Sequence, residues 1–484
     1  MKWVFLVALS ITLCSAMPRF PRIQYKMPEQ LPPNYVQSWF TSFVDHFGSG
    51  IETFQMRYFS KNTYWTNNTQ APGPIFFYCG NEGAIEMFIE NSGWIDQLAS
   101  QMGAAVVYAE HRYFGQSMPF GNRSFTSPQN LKYLSPHQAL GDYAYLLQNL
   151  KIMYYDAPVI AWGGSYGGML AAWFRMKYPN LVVGAIASSA PIFHFMGSVN
   201  PEEFNEIVTN DYAMVDTNCV PYIKTAHDIL GVWTRNSTLW WQLQEIFNTC
   251  TEVITYSTAS NIINWIDNAL TYMAMTDYPY ETNFLEPMPA NPVNVACSKF
   301  NNLADDATDA EILAAIRDAV NVYYNSTGNN TCNLVDQQYD NGLGDNGWDY
   351  LSCSTLVMPI GSDGVHDMFL PQPFSISAID SYCLQTWGVA PVTDYAKIFY
   401  GSSTNPLGPL RYASNILFPN GSLDPWQSGG VLESIHANSV IGFIMQGAAH
   451  HLDLRTPNPS DPEDVVTARN TEKQLIKYWL ATAK

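Results

Sequence analysis

Residues 159–173 constrain the fold more than any other part of the chain. A short apolar run, Val159-Ile160-Ala161-Trp162, passes into Gly163-Gly164-Ser165-Tyr166-Gly167-Gly168 and then into Met169-Leu170-Ala171-Ala172-Trp173. The first run lacks polar alternation and reads as a strand buried on both faces, whereas the last carries helical spacing. Only a tight turn joins them, and the surrounding glycines let backbone segments crowd together there. A serine on such a turn exposes its hydroxyl, and the helix N-terminus favours negative charge beside it. The G-x-S-x-G spacing therefore makes Ser165 a candidate nucleophile and predicts an α/β sheet around it.

The rest of the chain agrees with that sheet. Residues 74–79, 104–109, 158–162 and 181–187 read as buried strands, and 85–102, 135–153 and 167–178 as the helices between them. After Pro191 the texture becomes helical, with segments at 220–233, 259–275 and 310–324, the last opened by Thr308 and Glu311 in capping-box spacing. Strand texture returns at 414–418 and 439–445, followed by a final helix over 462–482. The expected architecture is an α/β-hydrolase fold with an inserted helical, disulfide-linked cap. A first hydrolase segment spans 41–193, the cap 194–350, and a second hydrolase segment 351–484. A chain of 484 residues is long enough for two such units.

Composition narrows the function classes. A formal charge of −19 repels nucleic acid and anionic membranes, so neither is an expected partner. Residues 1–16 have the charged start, apolar stretch and small-residue end of a signal peptide, which predicts the secretory pathway; 17–40 is then an N-terminal segment and a candidate propeptide. Loss of Cys14 with the signal leaves an odd number of cysteines. Cys79 lies in the apolar run Ile75-Phe76-Phe77-Tyr78 and is the expected free thiol, leaving Cys219, Cys250, Cys297, Cys332, Cys353 and Cys383 for three disulfides. No C-x-x-C pair suggests zinc, and neither a metal nor a cofactor is expected. Sequons at Asn67, Asn122, Asn236, Asn325 and Asn329 are candidate glycosylation sites; a sixth, at Asn420, lies four residues from a candidate catalytic acid.

In α/β hydrolases the acid and the histidine follow the serine in chain order. Asp424 is the one carboxylate in the loop Asn420-Gly421-Ser422-Leu423-Asp424-Pro425-Trp426, and it is the candidate acid. His450 and His451 follow the next strand, and the residues alone do not choose between them. Backbone N–H groups of Tyr166 and of the loop Gly80-Asn81-Glu82-Gly83 are candidate oxyanion donors. Tyr166, Met169, Met368 and Trp426 are candidates to line an apolar pocket.

Several motifs resemble those of the lysosomal Pro-Xaa carboxypeptidases, or prolylcarboxypeptidases, a family that includes dipeptidyl peptidase II and thymus-specific serine protease. The resemblance is carried, in order, by Val44-Asp45-His46-Phe47, Gly80-Asn81-Glu82-Gly83, Ala109-Glu110-His111-Arg112-Tyr113-Phe114-Gly115, the Ser165 turn, Leu423-Asp424-Pro425-Trp426 and His450-His451-Leu452-Asp453-Leu454-Arg455. It extends to Asp277-Tyr278-Pro279-Tyr280 and Val357-Met358-Pro359, which look most like prolylcarboxypeptidase.

It implies a serine exopeptidase that removes a C-terminal residue following proline at acidic pH, in a lysosomal or secreted setting, with homodimerisation. The same resemblance assigns His450 as the catalytic histidine and pairs Cys219 with Cys297, Cys250 with Cys332, and Cys353 with Cys383. A fourth disulfide of that family has no cysteines here. His451 and Arg455 become candidates to bind the free carboxylate of a peptide. The rival expectation is a dipeptidyl peptidase, in which an acid such as Glu82 would recognise a free amine.

Overall fold

The computed structural model describes residues 31–335, 345–401, 407–435 and 439–483; the expected signal peptide and residues 17–30 of the N-terminal segment lie outside them. Eight strands form one sheet: β1 (Val36–Phe43), β2 (Thr53–Lys61), β3 (Ile75–Cys79), β4 (Ala105–Ala109), β5 (Val159–Gly164), β6 (Gly184–Ser188), β7 (Ile416–Gly421) and β8 (Val440–Met445). Their order is β1-β2-β4-β3-β5-β6-β7-β8. β3 to β8 run parallel, and β1 and β2 close one edge antiparallel.

The uninterrupted apolar runs follow from burial on both faces. In β3, Phe76 and Tyr78 enter one core while Ile75, Phe77 and Cys79 enter the other. β5 divides the same way, with Ile160 and Trp162 opposite Val159 and Ala161. A strand with water on neither side has no position for a polar residue, so the alternation expected of an exposed sheet is missing.

The first core also receives the helical insertion. Helices Glu203–Val215, Cys219–Trp233, Tyr256–Met275 and Asp309–Tyr324 bury apolar faces there with the shorter Trp240–Phe247 and Pro292–Cys297. Thr308 and Glu311 do form a capping box, as do Thr255 and Thr258 at the preceding long helix. Disulfides Cys219–Cys297 and Cys250–Cys332 cross-link this layer. Cys353–Cys383 ties helix Asp345–Ser354 to helix Ile376–Trp387, and Cys79 is buried and free.

Some elements depart from the expectations. The segment 85–102 is two helices, Ile85–Asn91 and Gly93–Met102, broken at Ser92. β1 and β2 were not expected as strands, and β1 starts before the expected boundary at residue 41. Their polar content hid them. Arg57 in β2 is buried because its guanidinium pairs with Glu86 and Glu110. Beyond residue 350 the chain stays helical, and Tyr350, Met358, Tyr395 and Tyr400 pack in the second core before β7 begins. Of the sequons, Asn67, Asn122, Asn236 and Asn329 are exposed and Asn325 is half-buried. Asn420 is fully buried, donating to the carbonyls of Phe418 and Val431.

Candidate active site

Ser165 sits between β5 and helix Tyr166–Lys177 with φ 56° and ψ −130°. That is a conformation an L-residue adopts only when its surroundings enforce it. Here the enforcement is close packing. A Cβ on Gly163 would lie 2.0 Å from the carbonyl oxygen of Gly167, and one on Gly167 would lie 2.2 Å from Asn81 Oδ1. The Ser165 N–H donates to the Ser188 carbonyl of β6 at 3.0 Å. From Val159 to Phe174, Ser165 alone is not buried.

Asp424 and His450 arrive on the loops after β7 and β8. Both are buried, and His450 Nδ1 lies 2.8 Å from Asp424 Oδ2. A carboxylate only accepts, so Nδ1 carries the hydrogen and Nε2 is left with its lone pair. The second oxygen, Oδ1, accepts from the Trp426 N–H at 3.0 Å, which fixes the carboxylate toward the imidazole. The insertion holds the main chain of this histidine from both sides. His450 N–H donates to the Met275 carbonyl at 3.0 Å, and the Tyr278 hydroxyl donates to the His450 carbonyl at 2.9 Å.

One pocket brings together Ser165, His450, Asn81, Glu82, Tyr166, Met169, Trp426 and His451. Phe88, Pro191, Tyr272, Met275, Phe284, Trp348 and Met358 complete its wall and were not singled out as pocket residues in the sequence. Met358 alone had a signal there, in the Val357-Met358-Pro359 motif. Three expectations need correction. Met368 is buried in the insertion's core and does not line the pocket; Met358 lines it instead. Gly80 is unavailable as an oxyanion donor, because its N–H already donates to the Ala109 carbonyl at 3.0 Å. Arg455 also stands outside the pocket wall, donating to Asn91 and Thr282 with its guanidinium 4.6 Å from the Tyr278 ring centroid.

Electrostatics follow burial. Desolvation, helped by the neighbouring His450 and Arg455, pushes His451 well below the usual histidine range, so it brings no positive charge to the peptide carboxylate it was a candidate to bind. Burial raises Glu82 to about 7. His111 is pushed down to about 4 by burial. Its Nδ1 faces the Arg112 carbonyl at 2.6 Å, so Nε2 accepts from the Tyr166 hydroxyl at 3.0 Å and orients that ring. His46 and Arg112, from two of the family-like motifs, meet at Asp142, outside the pocket. These motifs brace the sheet.

The fold and this arrangement define a serine hydrolase of the α/β-hydrolase class. More narrowly, the chain belongs to the family described as "Serine carboxypeptidase S28", whose model matches residues 42–472. It is 41% identical over 442 residues to a lysosomal Pro-X carboxypeptidase of Bos taurus, covering 90% of this chain and 86% of the relative. To the lysosomal Pro-X carboxypeptidase of Homo sapiens it is 41% identical over 461 residues, covering 94% and 90% respectively. Among solved structures, an esterase of Pyrobaculum calidifontis matches at a TM-score of 0.37 and 12% identity, covering 93% of this chain and 86% of the other.

Proposed function

We propose that the chain is a Pro-Xaa carboxypeptidase, hydrolysing the bond between a proline and the C-terminal residue through an acyl-enzyme on Ser165. The observation that carries this reading is the pocket itself, where a strained serine and an Asp424-oriented His450 share an apolar wall with Met169, Met358 and Trp426. The likeness to curated Pro-X carboxypeptidases supports the specificity.

Ser165 Oγ attacks the prolyl carbonyl while His450 Nε2 takes its proton. The N–H groups of Tyr166 and Asn81 hold the oxyanion, the first because a residue at the start of a helix has no partner within it. His450 then protonates the leaving amine, and water releases the proline-ended product. Met169, Met358 and Trp426 receive the compact apolar proline ring. The substrates are peptides with proline next to the last residue. Three disulfides require an oxidising compartment, and among the described residues no helix is long and apolar enough to cross a membrane. A lysosomal or secreted site of action fits both.

Two proline peptides test the reading, one blocked at the N-terminus and one at the C-terminus, incubated with wild type and Ser165→Ala. Cleavage of the N-blocked peptide by wild type alone is expected. Cleavage of only the C-blocked peptide would establish a dipeptidyl peptidase instead.

A further inference from the structure

Glu82 enters the pocket on the loop after β3. It is 5% exposed, and its Oε2 is buried with no hydrogen-bond partner among the described residues. The carboxyl group otherwise accepts from its own N–H and from Asn81. The titratable groups around it are His450 from the loop after β8, Tyr166 from the nucleophile helix and Tyr78 from β3, with His451 and Tyr272 on the same wall. Among the described residues no lysine or arginine lines the pocket.

Arg455, from the segment after His451, is engaged with Asn91, Thr282 and the Tyr278 ring. A carboxyl group buried without a cation keeps its proton, and a carboxylic acid is a hydrogen-bond donor. The pocket thus holds a neutral O–H where a peptide's charged end must be received without a fixed positive charge.

We propose that the carboxylic acid of Glu82 donates its O–H to the terminal carboxylate of the bound peptide and so selects free C-terminal acids over amides and esters. The inference rests on the carboxypeptidase reading above and adds the group that recognises the terminus. A hydrogen bond to a carboxylate is charge-assisted and roughly twice as strong as one between neutral groups. No bond is broken and no proton leaves Glu82.

The pH dependence has a definite sign. Burial sets Glu82 at about 7, so below that value it is a donor and above it an anion facing the substrate's anion. Affinity for free acids therefore falls as pH rises. An ionised Glu82 holding a free amine would show the opposite trend.

The test is steady-state kinetics on an N-acetylated peptide ending in Pro-Phe, from pH 5 to pH 8, with wild type, Glu82→Gln and Glu82→Leu. An N-acetylproline nitrophenyl ester, which has no terminal carboxylate, reports whether each variant has formed its triad. For a binding group at about 7, the wild-type KM should rise about tenfold between pH 5 and pH 8. Glu82→Gln keeps a donor that does not titrate, and its KM should change less than about twofold over that range. In Glu82→Leu the ratio of kcat/KM for the free acid to that for the ester should fall about tenfold or more.

A wild-type rise in KM retained by Glu82→Gln, or an unchanged ratio in Glu82→Leu, overturns the proposal. If wild type cuts the ester but no N-acetylated Pro-Phe peptide, the carboxypeptidase reading itself fails. Should either variant not hydrolyse the ester, the other decides.

Discussion

At the scale of single residues, the proposed site depends on hydrogen bonds that leave each candidate catalytic atom one role. Asp424 holds Nδ1 of His450 with one oxygen and its own turn with the other. Asp424→Asn should therefore leave the fold intact while lowering kcat by about 10⁴-fold, because an amide can hold the wrong tautomer. Retained activity with an unchanged melting temperature would count against the assignment. Tyr278 is a subtler case. It never lines the pocket, yet its hydroxyl fixes the His450 carbonyl at 2.9 Å. Tyr278→Phe keeps the ring but removes that bond, worth about 1 kcal/mol, together with the hydroxyl's interaction with Arg455, and should lower kcat about fivefold with KM unchanged. A change confined to KM would show that Tyr278 acts on binding instead. Ser165, Asp424 and the histidine pair were legible in the sequence because chain order and strand-end loops select them. Tyr278 was visible only as one residue of a motif, because its partner is a backbone carbonyl 172 residues away.

At the scale of elements, the nucleophile turn and the cap hold the site in different ways. The turn depends on close backbone approach, so Gly163→Ala forces its Cβ against the Gly167 carbonyl at 2.0 Å. The atoms it would meet, in Gly167 and Gly168, are all backbone and cannot swing aside. Thermal denaturation should show a loss of about 1–3 kcal/mol, and wild-type stability would contradict the packing described. The cap instead relies on cross-links, its Cys219–Cys297 bond closing a separation of 78 residues. Replacing both cysteines by serine should cost roughly 2–5 kcal/mol, read by denaturant unfolding. The buried parallel strands were readable because both faces demand apolar residues. β1 and β2 were not: β1 mixes polar and aromatic residues, and the buried charges of β2 are explained only by partners distant in sequence, Glu86 and Glu110 for Arg57 and Asp96 for Lys61. The break at Ser92 escaped for a related reason: apolar periodicity continues through 85–102, while the interruption depends on what each helix packs against.

At the scale of the molecule, burial of ionisable groups ties stability to pH. Asp277 is raised to about 7 and Asp211 to about 9, in both cases chiefly by burial. Such carboxyls ionise near pH 4 in an unfolded chain, so between pH 6.5 and 8 unfolding releases protons that the fold retains. Stability therefore falls with rising pH over that window. Below about 6.5 the opposite term enters, because burial pushes His111, His137 and His194 down to about 4 and only the unfolded chain accepts their protons. Tm should be higher at pH 6 than at pH 8, and Asp277→Asn should remove some of the difference; a Tm that rises toward pH 8 would contradict this. The family resemblance implied acid operation, but which carboxyls are buried unpaired depends on the docking of the cap. The most direct test of the whole account maps the adduct of a fluorophosphonate on wild type, with and without excess N-acetylated Pro-Phe peptide. Modification of Ser165 alone, slowed by that peptide, is predicted; an adduct elsewhere, or one on Ser165 that the peptide does not slow, would contradict it.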